Sequence, residues 1–208
     1  ALLDSEGEFY QLSRYRHKKA MVIMAVDGSC SEMADSIGEF ELLRSKFSEQ
    51  PVTFLLLNSS DNSNLQNTQS LTDKAADAGL PLLRDNSQLV SEAISVTKSG
   101  EVVILDPNAL TLLYRGIGGA EASAVITEQL ADDVLQTKIT SLDGCGLRYL
   151  AREKHAGQAP DYGTEIAPIV AEQCASCHRE GGIGPFAMDS HLMLQGWAPM
   201  IKEVLLTK

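Results

Sequence analysis

Hydrophobic residues in the first part of the chain form two kinds of run, one continuous and one periodic. Residues 20–26 (AMVIMAV) and 52–58 (VTFLLLN) are almost wholly apolar, which is typical of strands in a sheet covered on both faces. Between them, apolar side chains recur every three or four residues from Ile37 to Phe47 and predict an amphipathic helix. The pattern therefore predicts a strand, a helix and a second strand.

The alternation of strands and helices continues beyond residue 58. Residues 64–79 predict a helix that ends at Gly79, because glycine is common directly after a helix, and LPLLRD predicts a short strand. Residues 101–116 hold two apolar runs separated by Asp-Pro-Asn, a turn composition, and so predict a β-hairpin. A helix over 121–137 completes an α/β unit with helices on both faces of the sheet.

The composition of the sequence changes near residue 155. Residues 152–163 (REKHAGQAPDYG) are polar and contain glycine and proline, as linkers do. We therefore assign residues 1–150 to the α/β domain, 151–161 to a linker and 162–208 to a second, small segment.

Charge restricts the partners of this chain. Acidic side chains outnumber basic ones by 28 to 17, which gives a net charge of −11 at pH 7. Because nucleic-acid binding depends on Lys and Arg that displace counterions from phosphates, no nucleic-acid partner is expected. The acidity suits a redox partner protein with a basic surface, and equally suits a surface that serves only solubility. No apolar run approaches the roughly 18 residues of a membrane-spanning helix, so no transmembrane segment is predicted.

Cys174, Cys177 and His178 form a Cys-x-x-Cys-His motif, the most specific signal in the chain. Two thiols on one helical turn can each add to a vinyl group of a haem, and the next imidazole can then serve as the proximal ligand of the iron. The apolar spacing of Ile166, Ile169 and Val170 predicts a short helix that leads into the motif.

Two other functions of this motif stay open at this point. A zinc site would require the adjacent side chains of Cys177 and His178 to converge on one ion with Cys174 and a fourth ligand. A thioredoxin-type dithiol would open a helix directly after a strand of the sheet, whereas this pair lies in a helix outside the predicted sheet. Spacing favours covalent haem.

Several longer stretches resemble known bacterial proteins. LLDSEGEFYQLSRYRHKKAMVIMAV, the DGSC turn and LLRDNSQLVSEAISVTKSGEVVILDPNALTLLYRG resemble the redoxin branch of the thioredoxin fold, which is found in thiol–disulfide and peroxiredoxin-like proteins. YGTEIAPIVAEQCASCH and REGGIGPFAM resemble the start of the small cytochrome c domain that follows redoxin domains in bacterial multidomain proteins. The resemblance implies a thioredoxin-like α/β domain, a small and mostly α-helical cytochrome c-type segment, one covalent haem c, and a periplasmic or otherwise extracytoplasmic location.

The sixth ligand of the iron is left open by the sequence. The resembled cytochromes take it from a methionine in a Met-Pro-Pro stretch after a helix like WAPMIKEVLLTK, and no such stretch precedes Lys208. We therefore expect the cytochrome part to continue beyond Lys208. Within the sequence, Met188, Met193, Met200 and His191 are the candidates, although the spacing of Met193 and Met200 is that of core residues.

Cys30 lies where the resemblance places a thioredoxin-like nucleophile, after a strand and at the start of a helix whose dipole favours a thiolate. Glu32 and Met33 occupy the positions where a partner cysteine belongs, and Ser99 and Gly100 stand where the family has a cis-proline. Both departures argue against dithiol exchange of the thioredoxin kind.

Cys145 lies in LDGCGLRY, and similar glycine–cysteine segments end the redoxin part of the resembled proteins. Three states of the two cysteines stay open: a Cys30–Cys145 disulfide, two free buried thiols, or a peroxidatic Cys30.

The expected function is electron transfer in the periplasm through a covalent haem, with the thioredoxin-like domain as a scaffold or docking module. One alternative is a thiol-based redox enzyme, a peroxidase or disulfide oxidoreductase, that uses Cys30 with the haem as an electron relay. Another is the electron-input module of a larger multidomain oxidoreductase. The sequence favours a carrier or redox module over a stand-alone catalyst.

Overall fold

The chain divides into two compact units, Leu2–Arg148 and Tyr149–Lys208. The structure is a computed structural model, and the residues it describes are 2–60, 65–133, 136–149, 152 and 159–206. Most of the predicted linker, residues 151–161, lies outside the described residues.

The N-terminal unit is built on a six-stranded sheet, and a separate antiparallel pair precedes that sheet. The pair is β1 (Leu2–Leu3) and β2 (Phe9–Tyr10), and the strands of the sheet are β3 (Ala20–Val26), β4 (Val52–Asn58), β5 (Leu82–Arg84), β6 (Val102–Asp106), β7 (Thr111–Gly116) and β8 (Lys138–Ile139). Their order across the sheet is β5-β4-β3-β6-β7-β8. β3 is parallel to β4 and antiparallel to β6, so the continuous apolar run of β3 occupies the centre of the sheet.

Helices cover the sheet unequally. They are α1 (Met33–Lys46), α2 (Leu65–Asp77), α3 (Leu89–Ala93) and α4 (Ala120–Leu130). Side chains of α1, α2 and α4 share one core cluster with Val22 and Met24 of β3, whereas Met21 and Ile23 belong to a cluster on the other face. That second face is covered by the N-terminal residues Tyr10 and Tyr15 and by the short α3, so the expected helices on both faces are present but the long ones lie on one face.

The predicted helix ends were correct for α2 and wrong for α4. Gly79 has φ +61°, its N–H donates to the Ala76 carbonyl at 2.9 Å, and the Leu80 N–H donates to the Ala75 carbonyl at 2.9 Å; this is the Schellman arrangement that glycine favours. α4 ends at Leu130, not at 137, because Asp132 turns to φ +59°, a conformation that aspartate tolerates. Residues 138–139 then form β8, parallel to β7.

A buried polar network closes the end of the sheet near α3. Asp85 and Ser91 are fully buried, and the Ser91 hydroxyl lies 2.7 Å from both the Asp85 carboxylate and the Ser59 hydroxyl. The Gln88 side-chain amide donates to the carbonyls of Ser59 and Arg148, at 2.7 Å each. The network therefore fixes the last residue of the N-terminal unit as well as the start of α3.

The C-terminal unit is helical over most of its described residues. A π-helical turn spans Tyr162–Ile166, α5 spans Ala167–Gln173 and α6 spans His191–Leu206. Asp161 begins the first turn by accepting the Thr164 N–H at 2.7 Å, and the hydrogen bonds from Thr164 lower the pKa of its carboxyl. None of the helices in the described residues is both long and apolar enough to cross a bilayer.

Replacing Asp85 with Asn will change how stability depends on pH. Burial raises the pKa of Asp85 above its usual value, so folding favours its protonated form, and the stability it contributes at low pH is lost as pH rises through the folded pKa. Urea unfolding from about pH 4 to 7 should show the free energy of unfolding of D85N improving relative to the wild type as pH rises. D77N, at an exposed position, is the control; identical pH profiles for D85N and the wild type would contradict the assignment.

Candidate functional site

The Cys-x-x-Cys-His motif lies on the turn that follows α5. The N–H groups of Cys177 and His178 donate to the Cys174 carbonyl at 3.2 and 2.9 Å, so the motif forms one compact helical turn. Both cysteines are free thiols, with Cys174 half-buried and Cys177 exposed. The predicted short helix before the motif is present as the π-helical turn and α5.

The ring of His178 is held by the loop after the motif. Its Nδ1 lies 3.0 Å from the Phe186 carbonyl, and because a carbonyl can only accept, Nδ1 must carry the proton. This tautomer leaves the lone pair on Nε2, the atom that can bind a metal. A Cβ at Gly184 would lie 2.7 Å from His178 Nδ1, so only glycine lets the loop approach the ring this closely.

Backbone hydrogen bonds fasten that loop to the motif. The Gly184 N–H donates to the Cys177 carbonyl and the Met188 N–H donates to the His178 carbonyl, both at 2.8 Å. Phe186 also stacks on Trp197 of α6, with ring centroids 4.1 Å apart and an interplanar angle of 6°. The histidine is therefore supported by the loop, and the loop by α6.

An apolar cleft of about 560 Å³ opens beside Cys174. Its lining residues recur at helical spacing on the segments before the motif and on α6. They are Tyr162, Ile166, Ile169, Val170, Cys174, Met188, His191, Leu194, Gln195, Ala198, Ile201, Lys202 and Leu205. The volume lies within the roughly 300–1,000 Å³ usual for ligand and cofactor sites.

The C-terminal unit buries few of its apolar side chains. Among its described residues, 159–206, Met188 is the one large hydrophobic side chain that is buried, while Ile169 is 56% and Leu205 is 70% exposed. A unit of this size usually requires a staple such as a metal or a disulfide, because its own core is too small. The apolar residues that would form a core instead line the cleft.

The candidates for a sixth iron ligand are spread over the unit. Met188 and His191 line the cleft, and the His191 ring packs on Tyr162 at a centroid distance of 4.3 Å. Met193 is 39% exposed, so its expected place in a core was wrong. Met200 is half-buried.

The parts of the chain that the structure describes do not support a zinc site. No group of three or more His, Cys, Asp or Glu side chains there is placed to hold a metal ion. Cys174, Cys177 and His178 do not converge as tetrahedral ligands must.

Cys30 and Cys145 form a disulfide in the N-terminal unit, with a Cα–Cα distance of 5.9 Å. Cys30 occupies a turn between β3 and α1, with its N–H donating to the Asp27 carbonyl at 3.1 Å, and it is 7% exposed. The turn, rather than the first turn of α1, holds the sulfur, because α1 begins only at Met33.

Ser99 has a specific task where the resembled family has a cis-proline. Its N–H donates to the Cys145 carbonyl at 2.9 Å, and its hydroxyl accepts the Asp27 N–H at 2.8 Å. Proline lacks the N–H that the first bond requires, and no peptide bond in the described residues is cis. Ser99 therefore joins the two segments that carry the disulfide.

Glu101 is a structural residue that the sequence did not reveal. It is 5% exposed, its Oε2 accepts the Thr97 N–H at 2.6 Å and the Lys98 N–H at 3.2 Å, and its Oε1 pairs with Arg115 at 2.9 Å. The carboxylate therefore holds Thr97 and Lys98 in place. A single glutamate before an apolar run has no pattern that would predict this role.

Solved structures with a similar backbone identify the fold. The thioredoxin domain of a thiol–disulfide oxidoreductase from Bacteroides vulgatus matches 62% of this chain and 91% of its own, with a TM-score of 0.51 and 10% identity. The fold is thioredoxin-like. An uncharacterized conserved protein from Geobacillus kaustophilus (TM-score 0.60, 22% identity) covers 71% of this chain and 87% of its own. A hypothetical protein from Sinorhizobium meliloti 1021 (TM-score 0.58, 20% identity) covers 71% and 89%.

The fold comparison confirms the thioredoxin-like part of the expected architecture and carries no activity with it, because these identities are low. No protein-family model matches the sequence, and no curated protein matches it. The chemistry must therefore be argued from the two sites themselves.

Removing the disulfide will destabilise the N-terminal unit. The bond joins residues 115 apart in sequence, and loss of such a cross-link typically costs about 2–5 kcal/mol, because the unfolded chain regains freedom. Urea unfolding of C30A/C145A should show this loss relative to the oxidised wild type, and the reduced wild type should resemble the variant. Equal midpoints for the oxidised wild type and the variant would contradict the prediction.

Replacing Gly184 with Ala will displace the His178 ring, since the added Cβ would lie 2.7 Å from Nδ1 and 2.9 Å from the Cys177 carbonyl. The Nδ1 resonance of His178 in a nitrogen-15 spectrum should move as the bond to Phe186 breaks. G196A, where a Cβ would meet open space, is the matched control. An unchanged His178 resonance in G184A would show that the loop yields without moving the ring.

Proposed function

We propose that this chain is an electron-transfer protein that carries one covalently attached haem c on Cys174, Cys177 and His178. The observation that carries the proposal is the apolar cleft beside Cys174 in a unit that buries almost none of its other apolar side chains. A flat, largely apolar macrocycle is the kind of group that such a cleft accommodates, and it supplies the core that the unit needs.

The residues at the site fit this group in three independent respects. Two free thiols lie on one helical turn, and one of them, Cys174, lines the cleft. The next residue is a histidine whose tautomer leaves Nε2 available. The cleft wall is formed mainly by aliphatic side chains of α6 and of the helix before the motif. When bound, a haem supplies a one-electron iron couple.

Each residue of the site then has a defined task. Cys174 and Cys177 would hold the haem through two thioether bonds, each formed by addition of an S–H group across a vinyl group with no leaving group. His178 would bind the iron through its Nε2 lone pair, and the Phe186 carbonyl keeps the ring in orientation. Ile166, Ile169 and Leu205 line the cleft and would pack against the apolar faces of a bound haem, which would shield these side chains from water.

An extracytoplasmic location agrees with the Cys30–Cys145 disulfide. Disulfides such as Cys30–Cys145 persist in oxidising compartments and are rare in the cytosol. The net charge of −11 suits a partner protein with a basic surface, because complementary charge speeds association. The thioredoxin-like unit serves in this proposal as the scaffold for the haem-bearing segment.

Covalent attachment is tested by mass. The full chain, produced in a bacterial periplasm with a cytochrome c maturation system, should carry one haem that survives acid–acetone extraction, on the peptide that contains Cys174 and Cys177. Its visible spectrum should change reversibly when the protein is reduced and reoxidised. A chain at its bare polypeptide mass, or a haem that is extracted, would overturn the proposal.

The variant C174A/C177A supplies a readout of folding. Without attachment the C-terminal unit lacks its core, so limited proteolysis should rapidly remove fragments from residue 162 onward and leave residues 2–148 intact. C177A alone retains one point of attachment and should give an intermediate rate. Equal protease resistance of the double variant and the wild type would show that the unit folds without the group.

A second candidate function is thiol–disulfide exchange at Cys30 and Cys145. The disulfide favours it, together with the place of Cys30 in the turn that follows the central strand of a thioredoxin-like sheet. The partner sulfur comes from residue 145, far along the chain, and not from the neighbouring turn. Alkylation followed by peptide mapping would show both thiols appearing when a dithiol is added to the native protein; a bond that opens only in denaturant would exclude this function.

A further inference from the structure

The segment that carries Cys145 lies along residues 97–99 like a short extra strand; residues 141–148 are called the strap below. Lys98 and Gly146 form an isolated antiparallel bridge, the Ser99 N–H donates to the Cys145 carbonyl at 2.9 Å, and the Leu147 N–H donates to the Thr97 carbonyl at 2.8 Å. The Lys98 ammonium also donates to the Leu142 carbonyl. Residues 145–147 of the strap therefore pair with residues 97–99, and Leu142 is bonded by the Lys98 side chain.

Residues 97–100, which lie against the strap, are held by hydrogen bonds that do not involve it. Glu101 holds Thr97 and Lys98 through their N–H groups, and the Gly100 N–H donates to the Ala25 carbonyl at 2.8 Å. None of these bonds involves the strap. Residues 97–100 should therefore keep their conformation when the strap leaves.

The strap itself has few attachments besides the disulfide. Leu147 packs against the small buried cluster of Ala25, Val96 and Val103, and the Arg148 carbonyl accepts from Gln88 at 2.7 Å. Its residues are otherwise half-buried or exposed. One leucine and a handful of hydrogen bonds hold little against the conformational freedom that the segment regains on release, so the covalent bond to Cys30 is the attachment that decides its state.

The strap lies in the chain between β8 and the C-terminal unit, so its release would lengthen the segment that connects the two units. It follows β8, which ends at Ile139 and whose next N–H, that of Thr140, donates to the Arg115 carbonyl at 2.8 Å. It directly precedes the C-terminal unit, which begins at Tyr149. A released strap becomes part of the tether between the units and adds up to about 3.3–3.6 Å of reach per residue.

We propose that the Cys30–Cys145 disulfide is a redox-operated anchor, whose reduction frees the strap and lengthens the tether of the C-terminal unit. The inference rests on thiol–disulfide exchange, the second candidate function, and does not depend on haem. It names a dithiol as the reductant.

The exchange begins on the more accessible sulfur. Cys30 is 7% exposed and Cys145 is half-buried, so a thiolate of the dithiol attacks Cys145 Sγ. A mixed disulfide forms, and the Cys30 thiolate leaves and takes up a proton. The second thiol of the reductant then attacks the reductant sulfur that is bonded to Cys145. An intramolecular disulfide forms in the reductant, and Cys145 is released as a thiol. Two electrons and two protons pass to the protein, and the dithiol becomes a disulfide.

Amide hydrogen exchange on the full chain, with and without dithiothreitol, tests the anchor. Reduction should speed amide exchange roughly tenfold or more at Ser99 and Leu147, whose N–H groups form the hydrogen bonds between the strap and residues 97–99. Exchange at Thr97 and Gly100, bonded to Glu101 and Ala25, should be unchanged. C145S without reductant should behave like the reduced protein, and trypsin should then cleave after Arg148 faster than in the oxidised wild type.

The outcomes separate the two hypotheses. A disulfide that resists dithiothreitol in the native protein overturns both the exchange function and the anchor. A disulfide that opens while Ser99 and Leu147 stay protected leaves the exchange function standing and overturns the anchor. C30A/C145A, judged folded by protected amides in β3, serves as a second variant; if its strap amides are as protected as those of the oxidised wild type, the anchor is likewise overturned.

Discussion

Burial of β3 on both faces is the constraint on which the N-terminal unit depends. All its residues are buried, with Val22 and Met24 facing the layer of long helices and Met21 and Ile23 facing the N-terminal segment and α3. A strand covered in this way is rigid, and the turn at its carboxyl end is positioned by it. That turn holds Cys30, so the placement of the disulfide follows from the core of the sheet.

The two units obtain stability by different physical means. The first buries a large apolar core and two acidic side chains, Asp85 and Glu101, each of which accepts several hydrogen bonds that offset part of the cost of burial. The second has a helical frame, a stacked pair of rings in Phe186 and Trp197, and an open apolar cleft. The first unit has a core built from its own side chains, whereas the proposed haem would complete the core of the second.

The sequence was informative wherever hydrophobic pattern or spacing extended over many residues. β3, β4 and the β6–β7 hairpin followed from long apolar runs, α1 from a repeat of three and four residues, and the Cys-x-x-Cys-His turn from its spacing. β8 was missed because Lys138 and Ile139 are both exposed and leave no burial pattern to read.

Contacts between distant residues were also beyond the sequence. The pairing of residues 97–99 with 145–147 rests on one bridge and two hydrogen bonds, which no local pattern records. Glu101 looked like a strand-flanking glutamate, and its role follows only from the loop that folds back over it. The cleft depends on which faces of α5 and α6 are left uncovered, and apolar periodicity alone cannot distinguish a core face from a binding face.

The close fit of Gly184 against His178 limits what the imidazole can do after it is in place. With Nδ1 bonded to the Phe186 carbonyl and the ring shut in by the loop, neither rotation nor a change of tautomer is available without opening the loop. A ligand held in this way has nearly the same geometry before and after the charge of a bound metal changes. In the proposed haem site, little nuclear rearrangement would then accompany the arrival or loss of an electron, which is the condition for rapid transfer across a distance.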